Sequence, residues 1–237
     1  MIDDLKKQAG QAAAESVQSG MLVGLGTGST AIWAVRRIAA RLQSGALKDV
    51  TGVPTSKQTE SEARTLRIPL LLEDDLGKQR IDLTIDGADE IDTALNLIKG
   101  GGGALLREKI VATLSNQVII VADSTKYVPQ LGTTWAIPIE VVSFGWHATA
   151  ERISRLGGII AKRMTALNTP FLTDQGNLIL DCRFPPLNDP RRLAERLKGI
   201  TGVVEHGLFL GMTTTVILAG RDGLTTLTPP PKPNEVS

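Results

Sequence analysis

Up to about residue 130, short apolar runs alternate with stretches of helical period, and this alternation limits the possible folds more than any other feature. The runs are MLVGLG, VTGVPTS, IPLLLED, IDLTIDG and VIIVADS, and each ends in glycine, hydroxyl or carboxylate residues. Strand-length apolar runs separated by amphipathic helices predict a parallel sheet covered by helices. In open parallel sheets ligands bind at the carboxyl ends of the strands, so the polar residues closing these runs are the candidates for chemistry.

From about Trp135 the rhythm changes. WAIPIEVV reads as a strand, TAERISRLGG as a helix closed by glycine, and IIAKRM and GNLILDC as strands. DPRRLAERLKG then reads as a helix and VVEHGLF as a strand, giving the β-α-β-β-α-β order of a split, ferredoxin-like α+β unit. The second helix has Asp189 as N-cap, Pro190 at its first position and Gly199 just past its end. TTTVILAG and GLTTLT are further strands that either sheet can accept. The expected fold is therefore α/β: a Rossmann-like parallel-sheet domain (1–131 with about 208–230) and a smaller ferredoxin-like domain (132–207). A proline-rich tail (229–237) without apolar periodicity is expected to be disordered.

Twenty-six Lys and Arg against 25 Asp and Glu, without a long run of either sign, argue against nucleic acid as a partner. The first twenty residues carry charges throughout and read as an amphipathic helix, and no segment has the apolar length of a membrane span. These features predict a cytoplasmic chain that does not engage a membrane. The single cysteine, Cys182, cannot form an internal disulfide, and His147 and His206 are too far apart in sequence to suggest a metal site.

GLGTGST (24–30) follows one apolar run and precedes the helical AIWAVRRIAARL. A strand, a glycine turn and a helix N-terminus offer free backbone N–H groups to an anion, and the hydroxyls of Thr27, Ser29 and Thr30 add donors beside Gly28. The stretch lacks the Walker A lysine and the last glycine of the dinucleotide fingerprint, so a small phosphate monoester fits better than a nucleotide. An ordinary tight turn is the plain alternative. Lys6 is a weaker phosphate candidate, because most lysines on an N-terminal helix only solvate a face.

In IDLTIDGADEID, Asp86 falls at a strand end, followed by Gly87, Ala88 and Asp89. Turn chemistry suffices for Glu90 and Asp92. Asp86 and Asp89 lie across a glycine turn at the ligand-binding edge, where crowded acids ionise unequally and can both donate and accept protons. Metal binding finds no clear further ligand in the chain. KGGGGALLREK (99–109) sets four glycines between Lys99 and a helix. Gly100, Gly101 and Gly102 would let substrate oxygens approach main-chain N–H groups, and Lys99 would add positive charge where an oxyanion develops. Leu106, Ile110 and Leu114 are expected to form the buried stripe, with Glu108 about 160° from the first two. Glu108 has small or apolar neighbours on the helix surface, while Arg107 and Lys109 point to either side. It is either a structural acid or a base in a dry pocket whose desolvation raises its pKa.

GLGTGST, PTSKQT, DGADEID, KGGGGALLREK and ADSTK, in this order and at these spacings, resemble ribose-5-phosphate isomerase of type A. The resemblance runs from about Lys6 through TDQGNLILD and VVEHGLFLG. It implies interconversion of D-ribose 5-phosphate and D-ribulose 5-phosphate in the non-oxidative pentose phosphate pathway, without metal or organic cofactor, by a homodimer or homotetramer. It makes Glu108 the base that moves a proton between C1 and C2 through an enediolate. Asp86, Asp89 and Lys99 would assist ring opening and stabilise charge. Thr27 to Thr30 would bind phosphate, with Lys6 nearby, and Lys126 of ADSTK would contact substrate. Gly103 and Leu106 stand where many members carry Ala and Thr. The rival readings are a sugar-phosphate sensor, which needs a DNA-binding module for which the N-terminus has no room, and a dehydrogenase, for which the glycine fingerprint is incomplete.

Overall fold

The computed structural model describes residues 2–230. The chain runs through α1 (Ile2–Ala14), β1 (Leu22–Leu25), α2 (Ala31–Gln43), β2 (Thr51–Pro54), α3 (Lys57–Thr65), β3 (Ile81–Asp86), β4 (Glu90–Ile91), β5 (Leu97–Ile98), α4 (Leu105–Leu114) and β6 (Ser115–Asp123). It continues through β7 (Ile137–Val141), α5 (Trp146–Ser154), β8 (Ile159–Lys162), β9 (Leu178–Arg183), α6 (Pro190–Lys198), β10 (Val203–His206), β11 (Leu208–Phe209), β12 (Thr215–Gly220) and β13 (Gly223–Leu227).

The large sheet has the order β13-β12-β6-β3-β1-β2 and is parallel except for the β12–β13 hairpin at its edge. TTTVILAG and GLTTLT thus both join this sheet. Alternation along its strands separates two apolar layers. Ile119 and Val121 face the cluster containing Ala9 and Ala13 of α1 and Val35 and Ile38 of α2, while Val118, Ile120 and Ala122 face the other way, toward Ile91, Leu97 and Phe209. IPLLLED does not form the expected strand. Only a single parallel bridge links Leu70 to Gly52 of β2, and the chain then turns through Glu73–Asp75, where three successive acids do not suit a buried strand.

The second sheet has the order β10-β7-β9-β8 with every neighbour antiparallel, the ferredoxin-like arrangement, and α5 and α6 bury Ile153 and Leu197 against it. In α6 the Asp189 carboxylate accepts from Arg192 N–H at 2.9 Å and Pro190 opens the helix. Cys182 is an ordinary buried strand residue of β9. The VVEHGLF run is split at Gly207 into β10 and β11, which belong to different sheets; β11, β5 and β4 make a three-stranded sheet that the sequence does not announce, since its strands are only two residues long. At Gly207 a Cβ would come within 2.3 Å of the Lys99 carbonyl oxygen. WAIPIEVV begins as a strand only at Ile137, leaving Trp135 in the preceding loop. No helix among the described residues is long and apolar enough to cross a membrane. The tail expectation lies outside the described residues from 231 onward.

Helix α4 departs from the predicted phase. Ile110 is 42% exposed and Leu106 and Leu114 are half-buried; the buried face consists of Leu105, Glu108, Lys109, Val111 and Ala112. The Leu106–Ile110 stripe instead lines a groove of about 820 Å³ with Leu70, Leu72 and Leu76. Two charged side chains occupy core-facing positions because the sheets beyond them supply partners, which a helical period cannot reveal.

Candidate active site

At the carboxyl ends of β1 and β3 lies a cavity of about 360 Å³. Lys6, Thr27, Gly28, Ser29, Thr30, Gly87, Ala88, Asp89, Lys99, Gly100, Gly101, Gly102, Glu108 and Lys126 all line it, and Trp135 joins them. Asp86 lies one layer behind.

Asp86, Lys99 and Glu108 form a buried chain of charge. Lys99 Nζ is 3.0 Å from Asp86 Oδ2, donates to Glu108 Oε1 at 3.0 Å, and donates to the Gly87 carbonyl at 2.5 Å. The Lys99 amine is strongly desolvated, yet the facing carboxylates of Asp86 and Glu108 outweigh that and hold its pKa above the ordinary value. Burial pushes the Glu108 carboxyl up, to about 8, against the downward pull of Lys99. Only one of its oxygens is engaged. Oε2 is buried and has no hydrogen-bond partner, an expensive state for a polar atom that is not meant to meet a ligand. Asp86, by contrast, is engaged at both oxygens: Oδ1 takes the N–H groups of Thr27 at 3.0 Å and Gly87 at 2.8 Å, and Oδ2 faces Lys99. It therefore ties the glycine turn after β1 to the end of β3 and to Lys99. The unequal pair anticipated for Asp86 and Asp89 resolves into a fixed acceptor and, at Asp89, a carboxyl raised by burial that accepts from Gly101 N–H at 2.7 Å.

The turn from Gly24 to Thr30 can pass close to β3 only as glycine at Gly26, where a Cβ would lie 2.4 Å from the Ile85 carbonyl oxygen and 2.5 Å from Asp86 Cα. The Thr27 hydroxyl does not add a donor to the cavity as expected. It lies within 2.7, 2.8 and 3.0 Å of the Ser56, Thr55 and Thr59 hydroxyls, a buried cluster formed by the PTSKQT stretch. Ser29, Thr30 and the backbone at the start of α2 remain at the cavity. Lys6 reaches the same place because α1 crosses α2 closely at Gly10, one helical turn on, where a Cβ would meet the Thr30 carbonyl and Trp33 at 2.8 Å.

The four glycines have separate causes. Gly100 and Gly103 have φ of 102° and 83°, which side chains rarely tolerate. Gly101 makes room for Asp89, whose Oδ1 would be 2.6 Å from a Cβ, and Gly103 for Phe171, 2.4 Å from one. Gly102 alone borders open space, its nearest neighbour being the Thr27 methyl at 3.9 Å. Gly103 is therefore clearance for a side chain of the antiparallel sheet's long hairpin rather than for a ligand.

Lys126 sits in the turn Ser124–Lys126 after β6, its Nζ 4.9 Å from the centre of the Trp135 ring. Glu90 is not a turn residue. It is fully buried in β4 and accepts from Gly132 N–H and from the N–H and hydroxyl groups of Thr134 and the Trp135 N–H, all within 2.6 Å, which secures the loop carrying Trp135. Lys109 belongs to a second buried cluster, 2.9 Å from Glu205 and donating to the His206 carbonyl at 2.5 Å. Burial lowers the Lys109 amine to about 8 and the His206 ring to about 4, while Lys109 and Lys198 draw Glu205 down to about 2 against its own desolvation. The sequence reading missed Trp135, taking it into a strand, and gave no signal for Arg163, which reaches the glycine run from the other sheet.

The family model for ribose 5-phosphate isomerase A (phosphoriboisomerase A) matches residues 51–223. A ribose-5-phosphate isomerase A from a Synechococcus species is 54% identical over 226 residues, covering 95% of this chain and 97% of that one; its counterpart from Chloroflexus aurantiacus is 53% identical, covering 92% and 91%. Among solved structures, ribose 5-phosphate isomerase from Plasmodium falciparum superposes with a TM-score of 0.91 at 44% identity, covering 95% of this chain and 98% of that one. A D-ribose-5-phosphate isomerase in complex with phospho-erythronic acid gives 0.93 at 36% identity, with coverage of 96% and 99%. With a matching model over most of its length and relatives above half identity from end to end, the chain belongs to the ribose 5-phosphate isomerase A family.

Proposed function

We propose that this enzyme interconverts D-ribose 5-phosphate and D-ribulose 5-phosphate, in the non-oxidative pentose phosphate pathway, by moving one proton between C2 and C1 of the open-chain sugar. Glu108 removes the C2 proton of the aldose, leaving an enediolate whose negative charge lies on O1 beside the Lys99 ammonium. The hydroxyl proton of O2 is lost as O1 gains one, and the protonated carboxyl of Glu108 returns its proton to C1. No atom is gained or lost, and no oxidant is needed. Asp89, raised by burial, exchanges the proton that opens and closes the furanose ring, and Asp86 keeps Lys99 charged and in place.

The observation that carries this reading is Glu108 itself. Its Oε1 is pinned by Lys99 and its buried Oε2 is free at a cavity bordered by the glycine turn. A base poised near neutral pH beside a fixed cation is what abstraction next to a carbonyl requires. The turn with Ser29, Gly28 and Lys6 holds the phosphate, so that binding energy far from C1 and C2 orients them. Gly87, Ala88, Gly100 to Gly102 and Lys126 flank the sugar. Residues 1–131 with about 208–230 serve as the catalytic unit and 132–207 as a bracing one; the pairing of β7 to β10 with one another in a sheet of their own supports the division. The protein acts without metal or organic cofactor, as a cytoplasmic homodimer or homotetramer, which light scattering after size exclusion checks.

Purified protein is expected to interconvert the two pentose phosphates in EDTA. Glu108→Gln is expected to lower kcat by at least about a thousandfold, within the usual worth of one general base, while sugar phosphate still binds. Full turnover by that variant would overturn the assignment, and a wild-type protein that binds without isomerising would identify a sensor.

A further inference from the structure

Beside the glycine run stands a half-buried cation that the mechanism does not use. Arg163 follows β8 on the antiparallel sheet, and its Nη1 donates to the carbonyl oxygens of Gly100 at 2.8 Å and Gly101 at 3.0 Å. The guanidinium is held by Asp181 of β9, through Nε at 2.9 Å and through a second, short bond from Nη2. Phe171, the ring against which Gly103 packs, lies 5.8 Å from the guanidinium carbon. One side chain therefore grips the glycine run at the two peptides that border the cavity.

The geometry of a trans peptide sets the consequence. Its N–H and C=O point in opposite directions. Fixing the Gly100 carbonyl toward Arg163 fixes the Gly101 N–H away from it, and that N–H donates to Asp89 at 2.7 Å. Fixing the Gly101 carbonyl likewise turns the Gly102 N–H away from the guanidinium, at the glycine with open space around it. Glycine peptides have the widest choice of orientation of any residue, so this aim must be imposed from outside the run. A cation on the carbonyl also polarises each amide and strengthens its N–H as a donor.

We propose that Arg163, clamped by Asp181, is a positioning residue for the isomerisation: it orients and polarises the Gly100–Gly101 and Gly101–Gly102 peptides so that one N–H holds Asp89 and the next meets a sugar oxygen. The inference rests on the isomerase reading above. The fork of the guanidinium matters, because two carbonyls and a carboxylate are served at once, which a lysine ammonium cannot reproduce. The antiparallel sheet thereby takes part in the reaction without supplying a group that touches substrate.

The test is steady-state isomerisation by Arg163→Ala, with inorganic phosphate as a competitive inhibitor that reports on the glycine turn alone. Expected are a fall in kcat of about a hundredfold, the usual cost of a misplaced site, an inhibition constant for phosphate within twofold of wild type, and at least tenfold recovery of kcat on adding guanidinium chloride at tens of millimolar. Arg163→Lys should recover little. A folded Arg163→Ala with kcat within threefold of wild type overturns the proposal. So does a loss that guanidinium leaves untouched and that raises the phosphate constant in parallel. Should Arg163→Ala fail to fold, Asp181→Asn keeps the guanidinium but loosens it; kcat lower by about tenfold is expected, and unchanged kcat overturns the clamp. A wild-type protein without turnover would refute the isomerase reading instead, which separates the two failures.

Discussion

Replacing Lys99 by Met removes the one charge that makes the buried carboxylates compatible while keeping the side-chain volume. Asp86 Oδ2 and Glu108 Oε1 each lie 3.0 Å from Nζ, so they are at most about 6 Å apart. At an effective dielectric of about 20, two such carboxylates repel by about 3 kcal/mol, and the lost attraction between Lys99 and Glu108 is about 5 kcal/mol. Five kcal/mol is worth about 4 pKa units. Glu108, already at about 8, would then stay protonated at every pH where the protein is folded. In Lys99→Met, kcat/KM should fall at least about a thousandfold at pH 8 and should not recover by pH 10, because both the base and the electrophile are lost. Stability carries an independent signature. Breaking the pair with Asp86 costs about 3 kcal/mol near pH 6, where Glu108 is neutral in both proteins. Above pH 8 the wild-type carboxyl has ionised beside Lys99, whereas the variant's must keep its proton. The gap between the two should therefore widen by about 1.4 kcal/mol per pH unit from pH 8 to 10. Urea titrations across that range measure it. Parallel stability curves above pH 8, or kcat/KM within tenfold of wild type, would refute the electrostatic account of the site.

Three further outcomes follow from the same geometry. The base must be deprotonated, so kcat/KM of the wild type should rise with pH and level off above about 8; a flat profile from pH 6 to 9 would contradict the raised carboxyl. A group whose pKa is raised on folding stabilises fully below its unfolded value, and that contribution is lost as pH climbs through the folded one. Relative to Glu108→Gln, the wild type should thus lose about 1.4 kcal/mol per pH unit between about pH 4.5 and 8. Gly26→Ala sets a Cβ 2.4 Å from the Ile85 carbonyl oxygen and 2.5 Å from Asp86 Cα, both backbone atoms unable to step aside. It should cost about 3 kcal/mol in denaturant unfolding and raise KM at least tenfold; a variant with wild-type stability and KM would mean that the turn does not depend on that contact.

The architecture could be read from the chain because it is written in local periods. Five apolar runs ending in polar residues predict the parallel sheet and the edge where Asp86, Gly87 and the glycine turn gather, and four of them form its strands. The fifth, IPLLLED, fails because a proline and a run of acids leave only a bridge at the edge of β2. The split β-α-β-β-α-β order survives, and its second helix keeps the Asp189 cap and the Pro190 start that the sequence announces.

The sequence by itself determined the sheet, the order of the strands in the chain and which polar residues arrive at one edge, since all of these depend on spacing and on glycine's freedom at fixed positions. Only the tertiary structure decided what those residues do to one another. Helical phase left Glu108 undecided and placed Leu106 and Ile110 inside, whereas the folded chain buries Glu108 and Lys109 because Lys99 on one side and Glu205 on the other neutralise them. The Thr27 hydroxyl turns away from the cavity toward PTSKQT, Gly103 yields to Phe171, and Arg163 aims two peptides from a distant sheet. Charge pairing and close contact act through space over a few ångströms, between residues from 9 to 96 positions apart, and no local pattern along the chain records that distance.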